Sequence, residues 1–172
     1  MRILLADDHT VVRHGLKQIL AEEFKRAMFG EARNAQETLE LAAQGSWDLV
    51  VLDVTMPGRS GLEVLRELRK SRPEVPVLVL SIHPEDQLAV RVLKLGAAGY
   101  MTKESAAEEL VGAVKRVLAG GRYVSAPLAE KLAASLASDS LKAPQDLLSG
   151  REFQVLRLLA AGKRVGEIAL EL

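Results

Sequence analysis

The sequence predicts an α/β fold: a parallel sheet with helices on both faces. Short, almost wholly apolar runs recur at 3–6, 28–32, 49–52, 77–80 and 98–101. Each is bounded by turn residues or charges, as a strand buried on both faces requires. The stretches between them carry apolar residues at helical spacing. Five strand–helix units then fit into roughly the first 120 residues, an alternation that implies parallel strands.

Taken in order, the run 3–6 ends in Asp7-Asp8, and Val12, Leu16, Ile19 and Leu20 then fall on one helical face. The run at 28–32 is the weakest of the five. Trp47, the only tryptophan, precedes the run 49–52 at the end of the sheet opposite the acids and reads as a core-packing residue. Residues 61–70 carry Leu62, Leu65 and Leu68. Leu88, Val92 and Leu95 form the stripe after 77–80, and Leu110, Val114, Val117 and Leu118 the stripe after 98–101. Gly96 reads as a helix stop and Gly99 as a turn.

Composition narrows the classes further. The chain has 172 residues, 48% hydrophobic and 27% charged, which excludes wholesale disorder. Lysine plus arginine equals aspartate plus glutamate, 23 against 23, so a uniformly basic coat for nucleic acid is excluded. The absence of cysteine removes disulfides, zinc–cysteine sites and thiol catalysis. The opening MRILLADD reaches its acids too early for a signal peptide. No apolar stretch approaches the ~18–20 residues of a membrane helix. The expectation is a soluble, cytoplasmic protein.

In an open parallel sheet, ligands bind beyond the carboxyl ends of the strands. There the sequence places Asp7 and Asp8, Asp53, Ser81 and Lys103. Three carboxylates on one rim repel, each raising the others' pKa. A hard divalent cation removes that cost, and Mg2+ suits one or two carboxylates plus a phosphoryl oxygen. Lysine adds a second positive charge and serine a donor. The set reads as a phosphoryl-transfer site with an aspartate as nucleophile.

At these residues the chain resembles the receiver domain of a two-component response regulator. The resemblance rests on Asp7-Asp8, on residues 53–61 with Asp53, Thr55, Met56, Pro57 and Gly61, on Ser81, and on Tyr100 before Lys103. It implies a flavodoxin-like doubly wound sheet of order 2-1-3-4-5. It implies Asp53 as phosphoacceptor and Asp8, Asp53 and the Thr55 backbone carbonyl as Mg2+ ligands, with Asp7 acting through a water. Lys103 and Ser81 would bind the phosphoryl group, Ser81 and Tyr100 would form a switch pair, and His83 with Thr55 would tune dephosphorylation. A sensor histidine kinase would be the phosphodonor and a homodimer the activated form, with self-phosphorylation and self-dephosphorylation at Asp53 the only catalysis. Glu104 follows Lys103 where many receivers have proline after a cis peptide. His14 reads as a helix-surface residue. His9 follows the acid pair, but without partner histidines it does not suggest zinc.

Beyond Gly120-Gly121 the composition changes. Ser125 and Pro127 read as a helix start, Leu128, Leu132 and Leu136 as its apolar stripe, and 138–146 as a polar stretch. Residues 148–172 resemble the opening of a LuxR-type helix-turn-helix domain, which implies a regulator of the NarL/FixJ type. Ser149 and Glu152 form a capping box, and Val155, Leu156, Leu159, Ile168 and Leu172 supply the core face. The expected division is a receiver at 1–120, a helical linker at 121–146 and an incomplete DNA-binding domain at 147–172. The recognition helix would follow Leu172, and residues 144–172 carry four basic and four acidic side chains. Promoter DNA is therefore expected as a partner of the intact protein, not of these residues alone. The tail's apolar face is expected to pack on its own receiver or on a neighbouring molecule.

Two rivals stand beside this reading. An aspartyl-phosphate phosphatase of the haloacid-dehalogenase kind needs a second aspartate two residues after the nucleophile, where this chain has Thr55. A stand-alone relay or adaptor receiver would lack the helical tail.

Overall fold

The computed structural model describes residues 1–57, 59–82 and 85–137, together with Val155 and Leu158. Five strands alternate with helices: β1 (Arg2–Ala6), α1 (Thr10–Glu23), β2 (Met28–Ala32), α2 (Ala35–Gln44), β3 (Leu49–Asp53), α3 (Gly61–Ser71), β4 (Val77–Ser81), α4 (Glu85–Lys94), β5 (Gly99–Thr102), α5 (Ala106–Leu118) and α6 (Ala126–Ala137). The strands are parallel, in the order β2-β1-β3-β4-β5. The doubly wound fold expected from the sequence is the one observed.

Period-two alternation along each strand feeds two separate cores. Leu4, Val50, Leu52, Val77, Val79 and Tyr100 pack with side chains of α2, α3 and α4. Ile3, Leu5, Leu49, Val51, Leu78, Leu80 and Met101 pack with those of α1 and α5. Every residue of β3 and β4 is buried, which explains their uninterrupted apolar runs. The edge strand β2 buries only Ala32, which is why its run reads weakest. Helix α2 buries Ala35, Thr38 and Ala42, residues too small to show as a stripe. Its start is secured instead by Asn34, whose side chain accepts from the Glu37 N–H at 2.9 Å.

Strands β3 and β4 run one residue further than their apolar runs, through Asp53 and Ser81, because the ladder continues past the last apolar side chain. Gly99 is not a turn; it opens β5, close against the Tyr123 carbonyl and Leu78. Gly96 ends α4 with φ +93°, as a helix stop should. Among the described residues no peptide bond is cis, so Lys103–Glu104 is trans. Without proline, the trans form is favoured by about 2.5–4 kcal/mol. Trp47 is half-buried and packs against the core on the α2–α4 side, as expected. It packs on Gly30 and Gly45 and donates Nε1–H to the Leu41 carbonyl at 2.7 Å.

After α5 the chain returns to the sheet. Tyr123 bridges to Gly99, donating N–H to the Ala98 carbonyl (2.9 Å) and accepting from the Tyr100 N–H (3.2 Å). Its hydroxyl donates to Glu109 Oε2 at 2.5 Å. Ser125 Oγ accepts from the Leu128 N–H at the start of α6, and Leu128 joins the core on the α2–α4 side. The side chains of Leu132 and Leu136, residue His83, and the tail expectations at 138–172 lie outside the described residues. The exceptions are Val155 and Leu158, both helical, with Leu158 buried.

Gly61 opens α3 against the backbone of β3's exit. A Cβ there would collide with the Val54 main chain, lying 2.9 Å from both its carbonyl carbon and oxygen. Backbone cannot rotate aside, so Gly61→Ala should lose about 1–3 kcal/mol, the usual cost of overpacking. Urea denaturation checks it, and an unchanged midpoint would contradict the close approach.

Candidate functional site

The C-terminal ends of β1, β3, β4 and β5 bring the predicted residues together. Asp7 and Asp8 follow β1, Asp53 ends β3, Ser81 ends β4 and Lys103 follows β5. Asp7 and Asp53 are each 1% exposed, and Ser81 is fully buried. The Lys103 ammonium lies 2.7 Å from Asp53 Oδ2 and 2.7 Å from Asp7 Oδ2. Its backbone N–H donates to the Ser81 carbonyl at 2.8 Å, tying the lysine to the end of β4. Burial, the largest single influence, pulls the Lys103 ammonium's pKa down. The hydrogen bonds and charges of Asp53 and Asp7 together outweigh it and hold that pKa above the ordinary lysine value.

Asp53 Oδ1 accepts from the Thr55 N–H at 2.7 Å and the Thr55 hydroxyl at 2.5 Å. Those bonds set the carboxylate's rotation, so Oδ2 faces Lys103. Asp7 Oδ1 accepts from the His9 N–H at 2.8 Å, a local turn that turns Oδ2 to the lysine. Tyr100 is fully buried on β5, in the core on the α2–α4 side. His14 is exposed, as expected.

Asp7, Asp8, His9 and Asp53 can each bring one ligand atom within 4.8 Å of the others. Asp7 Oδ2 and Asp8 Oδ1 are buried yet receive no well-aligned hydrogen bond. The Lys103 ammonium lies 2.7 Å from the first, and His9 Nδ1 lies 3.0 Å from the second. Three carboxylates converging in one largely buried cluster, with a single ammonium between two of them, fit a hard cation such as Mg2+.

Two neighbours were not among the predicted site residues. His9 has no histidine partners, yet its ring rests on both acids. Arg13 is 3% exposed, and its Nη1 donates to the Asp7 carbonyl at 2.7 Å. A signal for it existed: Arg13, Leu16 and Leu20 are spaced i, i+3, i+7, so the arginine lies on the buried face. Val11, by contrast, is 85% exposed.

A parallel sheet of this order with three acids and a lysine at its carboxyl edge is the arrangement of a receiver domain. Residues 3–115 match the response regulator receiver domain, and the chain belongs to the two-component response regulators, of the NarL/FixJ type. It is 34% identical over 173 residues to response regulator UvrY of Escherichia coli K12, covering 100% of this chain and 79% of that protein. It is 38% identical over 170 residues to response regulator GacA of Pseudomonas aeruginosa, covering 98% and 79%. Among solved structures, a LuxR-family two-component response regulator from Aurantimonas matches with TM-score 0.69 and 34% identity, over 80% of this chain and 98% of that one. RcsB of Salmonella enterica serovar Typhimurium, bound to promoter rprA in the presence of phosphomimetic BeF3-, matches with TM-score 0.72 and 26% identity, over 99% and 82%. Among the described residues, no helix is long and apolar enough to cross a membrane.

Proposed function

We propose that Asp53 takes a phosphoryl group from the phosphohistidine of a sensor histidine kinase in the cytoplasm. Phosphorylation then drives homodimerisation and promoter binding. Supporting this is the Lys103 bridge between Asp7 and Asp53, a movable cation already at the atom that would react. Asp53 Oδ2 attacks phosphorus in line as the P–N bond to the kinase histidine breaks, and the imidazole leaves with the electron pair. Lys103 shifts from the carboxylate to an equatorial phosphoryl oxygen, and the Ser81 hydroxyl donates to another. Asp8, Asp53 and the Thr55 carbonyl would hold Mg2+, with Asp7 acting through a water, and an ion bound there would neutralise the charge spread over the phosphoryl oxygens. Water later cleaves the acyl phosphate, at a rate tuned by His83 and Thr55.

Ser81 moving toward the phosphoryl group and the inward Tyr100 form the switch pair. The phosphoryl group binds the active arrangement better and shifts a pre-existing equilibrium. Residues 1–120 serve as the receiver, 121–146 as a helical linker and 147–172 as LuxR-type helix-turn-helix sequence. The phosphatase reading is not favoured, since Thr55 spends its hydroxyl on Asp53 and no second acid stands there. Incubation with acetyl phosphate and Mg2+ should add one hydroxylamine-labile phosphoryl group per chain, and none in EDTA. A label that forms equally well without divalent cation would overturn this reading.

A further inference from the structure

We infer that Arg13 is a positioning residue for the metal-side acids, acting by clamping the peptide bond that joins Asp7 to Asp8. The inference rests on the reading of those acids given above. The carbonyl of Asp7 belongs to the same peptide plane as the Asp8 N–H, so its orientation sets the direction in which both carboxylates leave the chain. Arg13 Nη1 holds that carbonyl at 2.7 Å, while the Asp7 N–H donates to the Ala32 carbonyl of β2 at 3.1 Å. The β1–α1 turn is thereby pinned on both sides of Asp7, once by the sheet and once by a side chain.

The guanidinium is itself aimed. Its Nε lies 3.5 Å from Glu31 Oε2, and Lys17 Nζ lies 2.7 Å from Glu31 Oε1. Glu31 sits on β2 opposite Leu5, one position before the Ala6–Ala32 pair that ends the ladder, so the sheet register brings it beneath the turn. The Lys17 hydrogen bond, with Arg13 adding to it, holds the Glu31 carboxyl below its ordinary range and keeps it charged. The planar fork of arginine meets the carbonyl and the carboxylate at once, whereas the single ammonium of lysine is a point donor.

Stability alone is a poor reason for this arrangement. Arginine is almost never fully buried unless paired, and here Nε is buried without a well-aligned hydrogen bond. An apolar side chain of similar length would fill the same face of α1 at no such cost. A residue that holds the peptide of two metal-side acids behaves like the outer partners of metal ligands, whose loss commonly costs 10–100-fold in affinity.

Calorimetric titration of Mg2+ into the unaltered protein and into Arg13→Met, Arg13→Lys and Glu31→Gln tests this, with melting temperatures measured alongside. Arg13→Met should raise the Mg2+ Kd at least about tenfold, as outer-partner losses do. Its acetyl phosphate labelling should recover as Mg2+ is raised. Arg13→Lys and Glu31→Gln should shift the Kd in the same direction by less. A lowered melting temperature with a Kd unchanged across all three variants would mark Arg13 as a structural anchor only and overturn the inference. If Arg13→Met does not fold, the same criterion is read from Arg13→Lys and Glu31→Gln. If the unaltered protein neither binds Mg2+ nor is labelled, the proposed function fails and this inference with it.

Discussion

Asp53→Asn is expected to remove the phosphoryl label completely while leaving the fold intact. The amide is isosteric, so the buried position keeps its volume, and its oxygen can still accept the Thr55 bonds that set the rotamer. What disappears is the second anionic oxygen. Oδ2 is the atom that faces Lys103 and would attack phosphorus, and an amide nitrogen in its place is neutral and non-nucleophilic. No neighbouring acid substitutes well. Asp7 is turned by the His9 N–H toward the lysine, and Asp8 lies at the outer edge of the cluster against His9. Labelling by a phosphorylated kinase or acetyl phosphate, followed by acid-gel autoradiography, measures the loss. Undiminished hydroxylamine-labile label in the variant would move the phosphoacceptor elsewhere.

Lys103→Met should be the most destabilising of the site substitutions. The ammonium, on a side chain 11% exposed, is shared between two carboxylates that are each 1% exposed. Methionine fills the space but leaves Asp7 and Asp53 facing each other without a cation. Removing one partner of a buried ion pair commonly costs about 3–5 kcal/mol, because the remaining charge stays desolvated. The loss should appear in EDTA as a lower denaturation midpoint. Mg2+ should restore part of it, since a cation that binds only the folded state stabilises it by mass action. A midpoint in EDTA equal to that of the unaltered protein would show that the carboxylates do not depend on Lys103 for their burial.

Much of this architecture is legible along the chain because burial leaves a period. Strands β3 and β4 are covered on both faces, so their sequences are apolar throughout, and acids that interrupt such runs mark the strand ends where ligands bind. The same logic fails where burial uses small side chains, as in α2, or where an edge strand is half covered, as in β2. It also misplaces Gly99. A glycine looks alike in a turn and in a strand, and it takes the Tyr123 segment and the Leu78 side chain packed against β5 to explain why no side chain fits there.

The sequence by itself determined the α/β class, the strand-end acids and lysine, and the helical segment after Gly120. Each follows from local periodicity and from charges placed where apolar runs stop. The tertiary structure alone decided which charges meet. Lys103 reaches Asp53 across 50 positions because β5 and β3 flank β4 in register. Arg13 reaches Glu31 because β1 and β2 align Leu5 with Glu31. Periodicity reports that a side chain is buried but carries no information about its partner. Partners are set by strand order and register, and these come from packing the whole sheet at once.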